Sequence, residues 1–312
     1  MNLFAGSTHP ALSSSLAKEL GIPLGKVTLK RFASGECYVK YDQSVRGQDV
    51  YILQAPGVQP HESLFELFLM CQAAKLSFAS HVHIILPYFP YARQDRISEP
   101  REPISAKLMA TLLQSAGADH IITLNLHSDQ IQGFFSVPVD VLDARPIFAD
   151  YFKKKLKNPV VVSPDIGGAK QAKKFADQLG AHLAIMHKTR SEHNQAQIIE
   201  VVGAVEGQTC ILYDDMIDTA GTLISAKEAL LKKGANPEVY VAATHALFSG
   251  PAIARLKEAD FAEVVVTDSI PPTETFKGLK ILPIAPLLAQ VLEHIESKQS
   301  VTDIYKNKEI QG

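Results

Sequence analysis

Short apolar runs alternate with segments of helical period along most of this 312-residue chain. The alternation is typical of repeated β-α units around a largely parallel sheet. It predicts strands at residues 26–32, 50–54, 81–86, 120–126, 159–163, 181–187, 210–213, 239–244, 263–267 and 280–282. It predicts helices at residues 10–20, 63–77, 104–115, 145–155, 169–179, 220–232, 251–259 and 284–297. The expected fold class is therefore α/β, with largely parallel sheets flanked by helices.

The length of the chain is enough for two domains, at roughly 100–200 residues per domain. We place the boundary near residues 140–146, where a strand-like segment gives way to a turn that contains Pro146. The predicted domains are residues 1–145 and 146–312, and we expect the tail after about residue 298 to pack back on the first domain. At the helix ends, Ser63 and Glu66 have the spacing of a capping box, and Gly117 follows the third helix.

Composition excludes several classes of protein. The 31 Lys and Arg residues nearly balance the 33 Asp and Glu residues, so no overall field attracts nucleic acid or anionic lipid. The three cysteines are scattered without CxxC spacing, which argues against a disulfide framework or a structural zinc. No apolar run approaches the roughly 18 residues of a membrane span, and no basic leader begins the chain. We therefore expect a cytoplasmic protein without nucleic-acid or membrane partners, and any anion site must be local.

The most informative stretch of the sequence runs from residue 210 to residue 223. A predicted buried strand leads into paired carboxylates and then into a short loop before a helix; the chemistry-bearing residues are Asp214, Asp215, Asp218, Thr219, Ala220, Gly221 and Thr222. Ligand sites of open α/β sheets lie at the carboxyl ends of strands, and a helix N-terminus attracts anions. A phosphate on residues 219–222, beside carboxylates that accept from hydroxyls, predicts a phosphorylated sugar as ligand. The alternative is an Asp-rich turn in which Asp218 or Thr219 caps the helix.

The whole string from strand to helix resembles the ribose-phosphate motif of the phosphoribosyltransferases and of the ribose-phosphate pyrophosphokinases. Three further stretches, at residues 91–96, 126–135 and 163–170, resemble the pyrophosphokinases and have no counterpart in ordinary phosphoribosyltransferases. The resemblance extends from residue 4 to about residue 304. It implies two related phosphoribosyltransferase-like domains, with ATP bound on the side of the first and ribose 5-phosphate on the side of the second.

The resemblance also implies which residues bind ATP. The segment Phe32, Ala33, Ser34, Gly35, Glu36 resembles the family's adenine site, with Ser34 in place of the usual aspartate. Stacking on Phe32 should persist, whereas a serine hydroxyl is a shorter and weaker acceptor than a carboxylate. Arg93 and Gln94 are implied to contact ATP, and the planar fork of an arginine suits phosphate oxygens.

The metal site and the catalytic cations are likewise implied by the resemblance. His127 and Asp165 each follow a predicted strand, one in each domain, and the family implies that they hold Mg²⁺ together with water and substrate oxygens. Taken alone, a single histidine is more often structural, and Mg²⁺ prefers oxygen ligands. Lys188 and Arg190 correspond to the family's catalytic pair, which neutralises charge on the transferred diphosphoryl group. Arg190 is also expected at the ribose 5-phosphate site.

These observations predict an enzyme that transfers the β,γ-diphosphoryl group of Mg-ATP to the C1 hydroxyl of ribose 5-phosphate, for nucleotide biosynthesis. Because the adenine loop in this family reaches the ATP of a neighbouring subunit, we also expect a homo-oligomer, of the type that assembles dimers into a hexamer. Two alternatives stay open. One is a phosphoribosyltransferase that uses the same sugar-phosphate site to consume the product, and the other is a catalytically silent, regulatory relative.

Overall fold

The computed structural model describes residues 1–189 and 198–305 of the chain. Its contacts divide the chain into two compact units. The first unit comprises Met1–Leu142, Ser269–Pro271 and the chain from Pro283 onward, and the second comprises Asp143–Asp268 and Pro272–Leu282. The predicted domains 1–145 and 146–312, and the packing of the tail after residue 298, stay predictions. No helix in the described part of the chain combines the length and the hydropathy that crossing a bilayer needs.

Strands and helices alternate along both units. Up to residue 142 the elements are β1 (Asn2–Ala5), α1 (Pro10–Glu19), β2 (Val27–Arg31), β3 (Cys37–Tyr41), β4 (Asp49–Leu53), α2 (His61–Leu76), β5 (His81–Ile85), α3 (Ser105–Ser115), β6 (His120–Leu124), a 3₁₀ helix (Asp129–Phe134) and β7 (Val139–Leu142). The remaining elements are α4 (Arg145–Lys153), β8 (Val160–Ser163), α5 (Ala169–Leu179), β9 (His182–Thr189), β10 (Ile198–Val202), β11 (Cys210–Ile217), α6 (Gly221–Lys232), β12 (Val239–Ala246), α7 (Ala252–Glu258), β13 (Glu263–Thr267), β14 (Leu279–Leu282) and α8 (Ala285–Glu296). The α/β prediction is confirmed.

The first unit is built on a five-stranded parallel sheet in the order β1-β4-β5-β6-β7. Apolar residues of β4, β5 and β6 pack with α2 and α3 in one buried cluster. Strands β2 and β3 form a separate antiparallel hairpin, whose turn holds the predicted adenine loop. The predicted adenine loop therefore belongs to the hairpin and not to the five-stranded sheet.

The second unit contains a seven-stranded sheet in the order β10-β9-β8-β11-β12-β13-β14. All neighbours run parallel except β10, which pairs with β9 in the antiparallel sense. Every residue of β8 and β12 is buried, as expected for strands that lie inside a parallel sheet. Because β8, β11 and β12 are neighbours and parallel, the loops that follow them meet at one edge of the sheet.

The capping-box prediction was wrong. Helix α2 begins at His61 and not at Ser63, and its first turn has no capping box. The Ser63 hydroxyl donates to the carbonyl of Pro60, and Glu66 lies 5% exposed in the core. The Glu66 carboxylate accepts from the backbone N–H of Ser7 (2.8 Å) and from the Gln54 amide (2.9 Å). Because the Glu66 carboxylate is bound by Ser7 and Gln54, it does not cap the N-terminus of α2. Gly117 does follow α3 as predicted, with φ of 111°.

Candidate functional site

The carboxyl edge of the second sheet carries the predicted sugar-phosphate residues. Strand β11 does not end at residue 213 as predicted but continues to Ile217, because β12 pairs with it as far as Ala246. On its other side, β8 pairs with β11 only at residues 210–212. Asp214 and Asp215 therefore lie in the part of β11 that extends beyond β8, with β12 still in register beside them.

The carboxylates on this edge stand close enough to affect each other's ionisation. Burial raises the pKa of Asp214 well above its usual value, and the negative charges of Asp215 and Asp165 raise it further. The Asp214 carboxylate accepts from the backbone N–H of Asp215 (2.9 Å), which opposes the shift only in part. Protonation, a cation or a hydroxyl donor placed here would relieve this repulsion.

The turn between β11 and α6 has the geometry of an anion site. Ala220 precedes the helix and has φ of 63° and ψ of −1°, a left-handed conformation that costs a residue with a side chain about 1–2 kcal/mol. Within the described residues, this helix has no side-chain hydrogen bond at its N-cap position. Ala220 therefore occupies the N-cap position, and the alternative in which Asp218 or Thr219 caps the helix stays a prediction. The first N–H groups of an α-helix have no acceptor within the helix, and here they follow Thr219 directly.

Sequence analysis missed the chain segment that holds this turn. The backbone N–H groups of Phe248 and Ser249 donate to the carbonyls of Ile217 and Asp218, each at 3.0 Å. Nη1 of Arg255, on α7, donates to the carbonyl of Thr219, also at 3.0 Å. The adjacency of β11 and β12 would have placed the loop after β12 at this edge, but nothing in the spacing of the sequence marks Arg255.

Asp165 follows the neighbouring strand β8 and is held by its own turn. Its Oδ1 accepts from the backbone N–H of Gly168 (2.8 Å), and its carbonyl accepts from the Ser163 hydroxyl (2.7 Å). A Cβ at Gly168 would lie 3.1 Å from the Ser163 hydroxyl, so a side chain there would crowd the turn. Asp165 is exposed, and because it follows β8, which runs parallel to β11, it lies at the same edge of the sheet as Asp214.

In the first unit, the predicted adenine residues occupy the turn of the β2–β3 hairpin. Phe32 is 55% exposed, and its ring meets Tyr38 edge-on at 5.7 Å between centroids. The Ser34 hydroxyl donates to the Glu36 carboxylate (2.8 Å), and Gly35 has φ of 91°, which favours glycine. A cavity of about 500 Å³ lies between this turn and the start of α2. An apolar ring face is thus available beside a carboxylate.

The remaining predicted residues of the first unit follow β5 and β6, which are neighbours in its sheet. Arg93, Gln94 and His127 are all exposed. The Gln94 side-chain oxygen accepts from the Ser105 hydroxyl (2.5 Å), and its carbonyl accepts from the N–H of Ala106. Gln94 therefore anchors the start of α3 while its amide nitrogen is still a possible donor.

The two predicted catalytic cations differ in what the structure shows. Lys188 lies in β9 next to Thr189, the last residue of that strand, and Arg190 lies outside the described residues.

In the described chain, no group of three His, Cys, Asp or Glu side chains is placed to hold a metal. The structure thus gathers Asp165, Asp214, Asp215 and the 218–222 turn on one edge of the second unit.

Comparisons with known proteins agree over nearly the whole chain. Residues 1–117 match the family model described as the N-terminal domain of ribose phosphate pyrophosphokinase, and residues 192–306 match the phosphoribosyl synthetase-associated domain. The chain is 45% identical over 304 residues to the ribose-phosphate pyrophosphokinase of Wolinella succinogenes, covering 97% of this chain and 98% of the relative. It is 46% identical over 308 residues to the enzyme of that name from Bacillus caldolyticus, with 98% of each chain covered.

A solved structure extends the similarity to the fold. The crystal structure of phosphoribosylpyrophosphate synthetase from Mycobacterium smegmatis superposes on this chain with a TM-score of 0.90 at 45% sequence identity. The match covers 95% of this chain and 99% of the synthetase chain. The similarity therefore includes both α/β units and does not stop at the sugar-phosphate motif.

Proposed function

This chain belongs to the ribose-phosphate pyrophosphokinase family, and we propose how its residues divide that family's reaction between them. It is a phosphotransferase of nucleotide biosynthesis. The C1 hydroxyl of ribose 5-phosphate attacks the β-phosphorus of ATP, and the bond from that phosphorus to the AMP oxygen breaks. The products are 5-phosphoribosyl 1-pyrophosphate and AMP. Because the sugar hydroxyl is the nucleophile, no side chain has to form a covalent intermediate.

The ribose 5-phosphate site is assigned to the turn after β11 and to the carboxylates before it. One observation carries this assignment: β11 extends beyond β8 and ends in a left-handed turn at Ala220, from which α6 starts. The N–H groups of residues 219–222 would bind the 5-phosphate. Asp214, Asp215 and Asp218 would accept hydrogen bonds from the ribose hydroxyls. Sugar hydroxyl donors would also relieve the repulsion that raises the pKa of Asp214.

Lys188 and Arg190 are assigned to the transferred diphosphoryl group, and Arg190 also to the ribose 5-phosphate site. Phosphoryl transfer depends mainly on positioning and on fixed positive charge near the oxygens that gain charge. Both residues come from the same motif of the sequence, at the end of β9. Their assignment rests on the resemblance of that motif to the family's catalytic pair.

ATP is assigned to the residues of the first unit. Phe32 would stack on the adenine, since more than half of its surface is exposed at the turn of the hairpin. Ser34, Gly35 and Glu36 would contact the base at the same turn. Arg93 and Gln94 would contact the triphosphate, Arg93 through its planar fork and Gln94 through its amide nitrogen.

We include Mg²⁺ among the requirements of the reaction, with His127 and Asp165 as the protein ligands that the family resemblance implies. The second unit fits a hard cation, because the exposed Asp165 carboxylate acts on Asp214, whose pKa is raised by burial and then by negative neighbours. No three described side chains are grouped to hold a metal by themselves, so water and substrate oxygens would complete the coordination. When bound, the ion would neutralise charge on the phosphate oxygens.

A cytoplasmic homo-oligomer is part of the same proposal. The three cysteines of the chain, Cys37, Cys71 and Cys210, are all free thiols, as suits a reducing compartment. The exposed hairpin turn with Phe32 supports an arrangement in which the adenine residues of one subunit serve a neighbouring subunit. Light scattering on the purified protein would give the number of subunits and so test this proposal.

The decisive test is AMP release by the purified protein from ATP, ribose 5-phosphate and Mg²⁺. We expect AMP and 5-phosphoribosyl 1-pyrophosphate in equal amounts, and no AMP when ribose 5-phosphate is left out. A phosphoribosyltransferase would form no AMP from these substrates, and a silent relative would form neither product. Omitting Mg²⁺ and adding a chelator tests the metal requirement in the same assay.

A further inference from the structure

The turn that binds the sugar phosphate in our proposal, residues 218–222, is hydrogen-bonded to the loop after β12 and to helix α7. Three consecutive carbonyls, those of residues 217, 218 and 219, all accept hydrogen bonds from residues 248–255. Two of the donors are backbone N–H groups, which any residue would supply. The third is the guanidinium of Arg255, and it is the one contact in this set that depends on the identity of a side chain.

The direction of these bonds fixes the direction of the turn. In a planar trans peptide, the C=O and the following N–H point in opposite directions. Because the carbonyl of Thr219 accepts from Arg255, the N–H of Ala220 points in the opposite direction from this bond. Arg255 thereby orients a donor that the 5-phosphate would use in our proposal.

Ala220 makes this support necessary. Its φ of 63° is strained for a residue with a side chain, so the turn needs contacts that favour this conformation over a relaxed one. The guanidinium also places a positive charge behind the peptide, which strengthens the attraction of its N–H group for an anion.

We propose that Arg255 is a positioning residue for ribose 5-phosphate, acting through the carbonyl of Thr219. The inference rests on the proposed function, in which residues 219–222 bind the 5-phosphate. Its specific consequence is an asymmetry between the two substrates. Removing the guanidinium weakens the binding of ribose 5-phosphate, whereas ATP, which is assigned to the other unit, binds as before.

The experiment is steady-state kinetics on the full-length enzyme with each substrate varied in turn. Arg255→Met keeps the apolar stem and removes the donors and the charge; we expect KM for ribose 5-phosphate to rise roughly 10-fold, as for one lost charged hydrogen bond. KM for ATP should stay within about 2-fold of the wild-type value. Arg255→Lys, which can still donate to the carbonyl, should recover most of the loss.

Lys257→Met is the matched control, because Lys257 lies on the same helix, is exposed and pairs with Glu274. It should change neither KM. A purely structural role for Arg255 would lower the melting temperature or the active fraction and leave KM for ribose 5-phosphate unchanged. That result, or an equal rise of both KM values, overturns the proposal.

Two further outcomes are kept distinct. If Arg255→Met does not melt cooperatively, Arg255→Ala, which also lacks the donors and the charge, replaces it, and the same KM comparison supports or overturns the proposal. If the wild-type protein forms no AMP from ATP and ribose 5-phosphate, the proposed function itself fails. If the wild-type enzyme is active and the variant keeps its KM for ribose 5-phosphate, only the assignment of Arg255 fails.

Discussion

The two units share a parallel sheet between helices, but they place their interacting titratable groups at opposite edges. In the first unit the group lies near the amino ends of the strands: Nδ1 of His83 on β5 is 3.0 Å from Nδ1 of His120 on β6. In the second unit it lies at the carboxyl end, where Asp214 and Asp215 extend β11 beyond β8. Ligand sites of α/β sheets occupy the carboxyl edge. The histidines are therefore expected to affect stability alone, and the carboxylates to affect catalysis.

The surroundings of the two groups agree with this difference. His120 Nε2 is paired with Asp140 (3.1 Å), and the His83 ring stacks on Tyr51 at 4.3 Å between centroids. The histidines thus have structural partners on neighbouring strands. Burial raises the pKa of Asp214 instead, and negative neighbours raise it further, an arrangement that costs stability until a ligand arrives. Charge that is unfavourable in the free protein and useful in the complex is typical of a binding site.

The largest effect is expected at Lys188, the proposed catalytic cation of the second unit. Lys188→Ala should lower kcat by about 10³-fold, since fixed positive charge on a transferring phosphoryl group contributes that much or more. ATP binding, assigned to the first unit, should change little. Rapid-quench measurement of AMP formation gives the chemical rate, and calorimetric titration with ATP gives the affinity. An unchanged turnover would remove Lys188 from the mechanism.

The next effect separates function from stability at one residue. Asp214→Asn removes a carboxylate whose pKa is raised in the folded protein; a raised acid pKa means that stability falls as pH rises above the usual value near 3.8. At neutral pH the variant should therefore melt higher than the wild type, by about 3 °C without ligand, while kcat/KM for ribose 5-phosphate falls about 100-fold. Thermal melting followed by circular dichroism, together with AMP release, measures both quantities.

Asp177→Asn provides the comparison for Asp214. Asp177 is an exposed carboxylate of the same unit, and its partner is the neighbouring Lys173. Neither the melting temperature nor the activity should change in this variant. A lower melting temperature for Asp214→Asn would mean that the carboxylate stabilises the free protein, which would contradict the contrast between the two edges.

The sequence contained enough information for most strands and helices, because their hydrophobic period follows from burial on one face or both. It did not reveal where an element ends when a neighbour decides it. Strand β11 runs four residues beyond the predicted 213, because β12 pairs with it as far as Ile217. Likewise, Ser63 and Glu66 have capping-box spacing, but Glu66 is held in the core by Ser7 and Gln54, which are distant in the sequence.

The residues of the candidate site likewise fall into those that the sequence could predict and those that it could not. The carboxylates and the small residues of 214–222 could be predicted, because their chemistry is local to one strand, one turn and one helix start. Arg255 could not be predicted, since its contact with Thr219 joins residues 36 positions apart. The strands β1, β3 and β10 were not predicted, although other strands of four or five residues were.

A smaller effect is expected from the first unit's ligand contact. Phe32→Ala removes an exposed ring, and the loss of stacking on one base should raise KM for ATP about 10-fold. KM for ribose 5-phosphate should stay unchanged, the reverse of the pattern expected for Arg255. Leu76→Ala is a suitable control, because Leu76 is an exposed apolar residue of the same unit that lies outside the hairpin. Equal KM values for ATP in Phe32→Ala and the wild type would exclude adenine stacking on this ring.

The smallest effect concerns the histidines at the amino edge. Burial lowers the pKa of His83 from its usual 6.5 to about 4, and His120 and His81 lower it as well, against the opposing effect of Asp49 and Glu296. Nε2 of His83 is buried and has no hydrogen-bond partner among the described residues. A second proton on the ring would therefore be an unsatisfied donor.

The sign of the pH dependence follows from the lowered pKa. Below pH 6.5 the unfolded chain binds a proton that the folded unit resists until about pH 4, so stability is lost as pH falls through that window. Between pH 7 and pH 5 the loss should be about 1 kcal/mol, after allowance for partial exposure of the ring. His83→Gln should flatten this slope and leave turnover at neutral pH unchanged, as urea unfolding and AMP release would measure. His81→Gln, at an exposed neighbour paired with Asp49, should keep most of the slope. If His83→Gln reduced turnover instead, the amino edge would take part in function, and the separation between the two edges would fail.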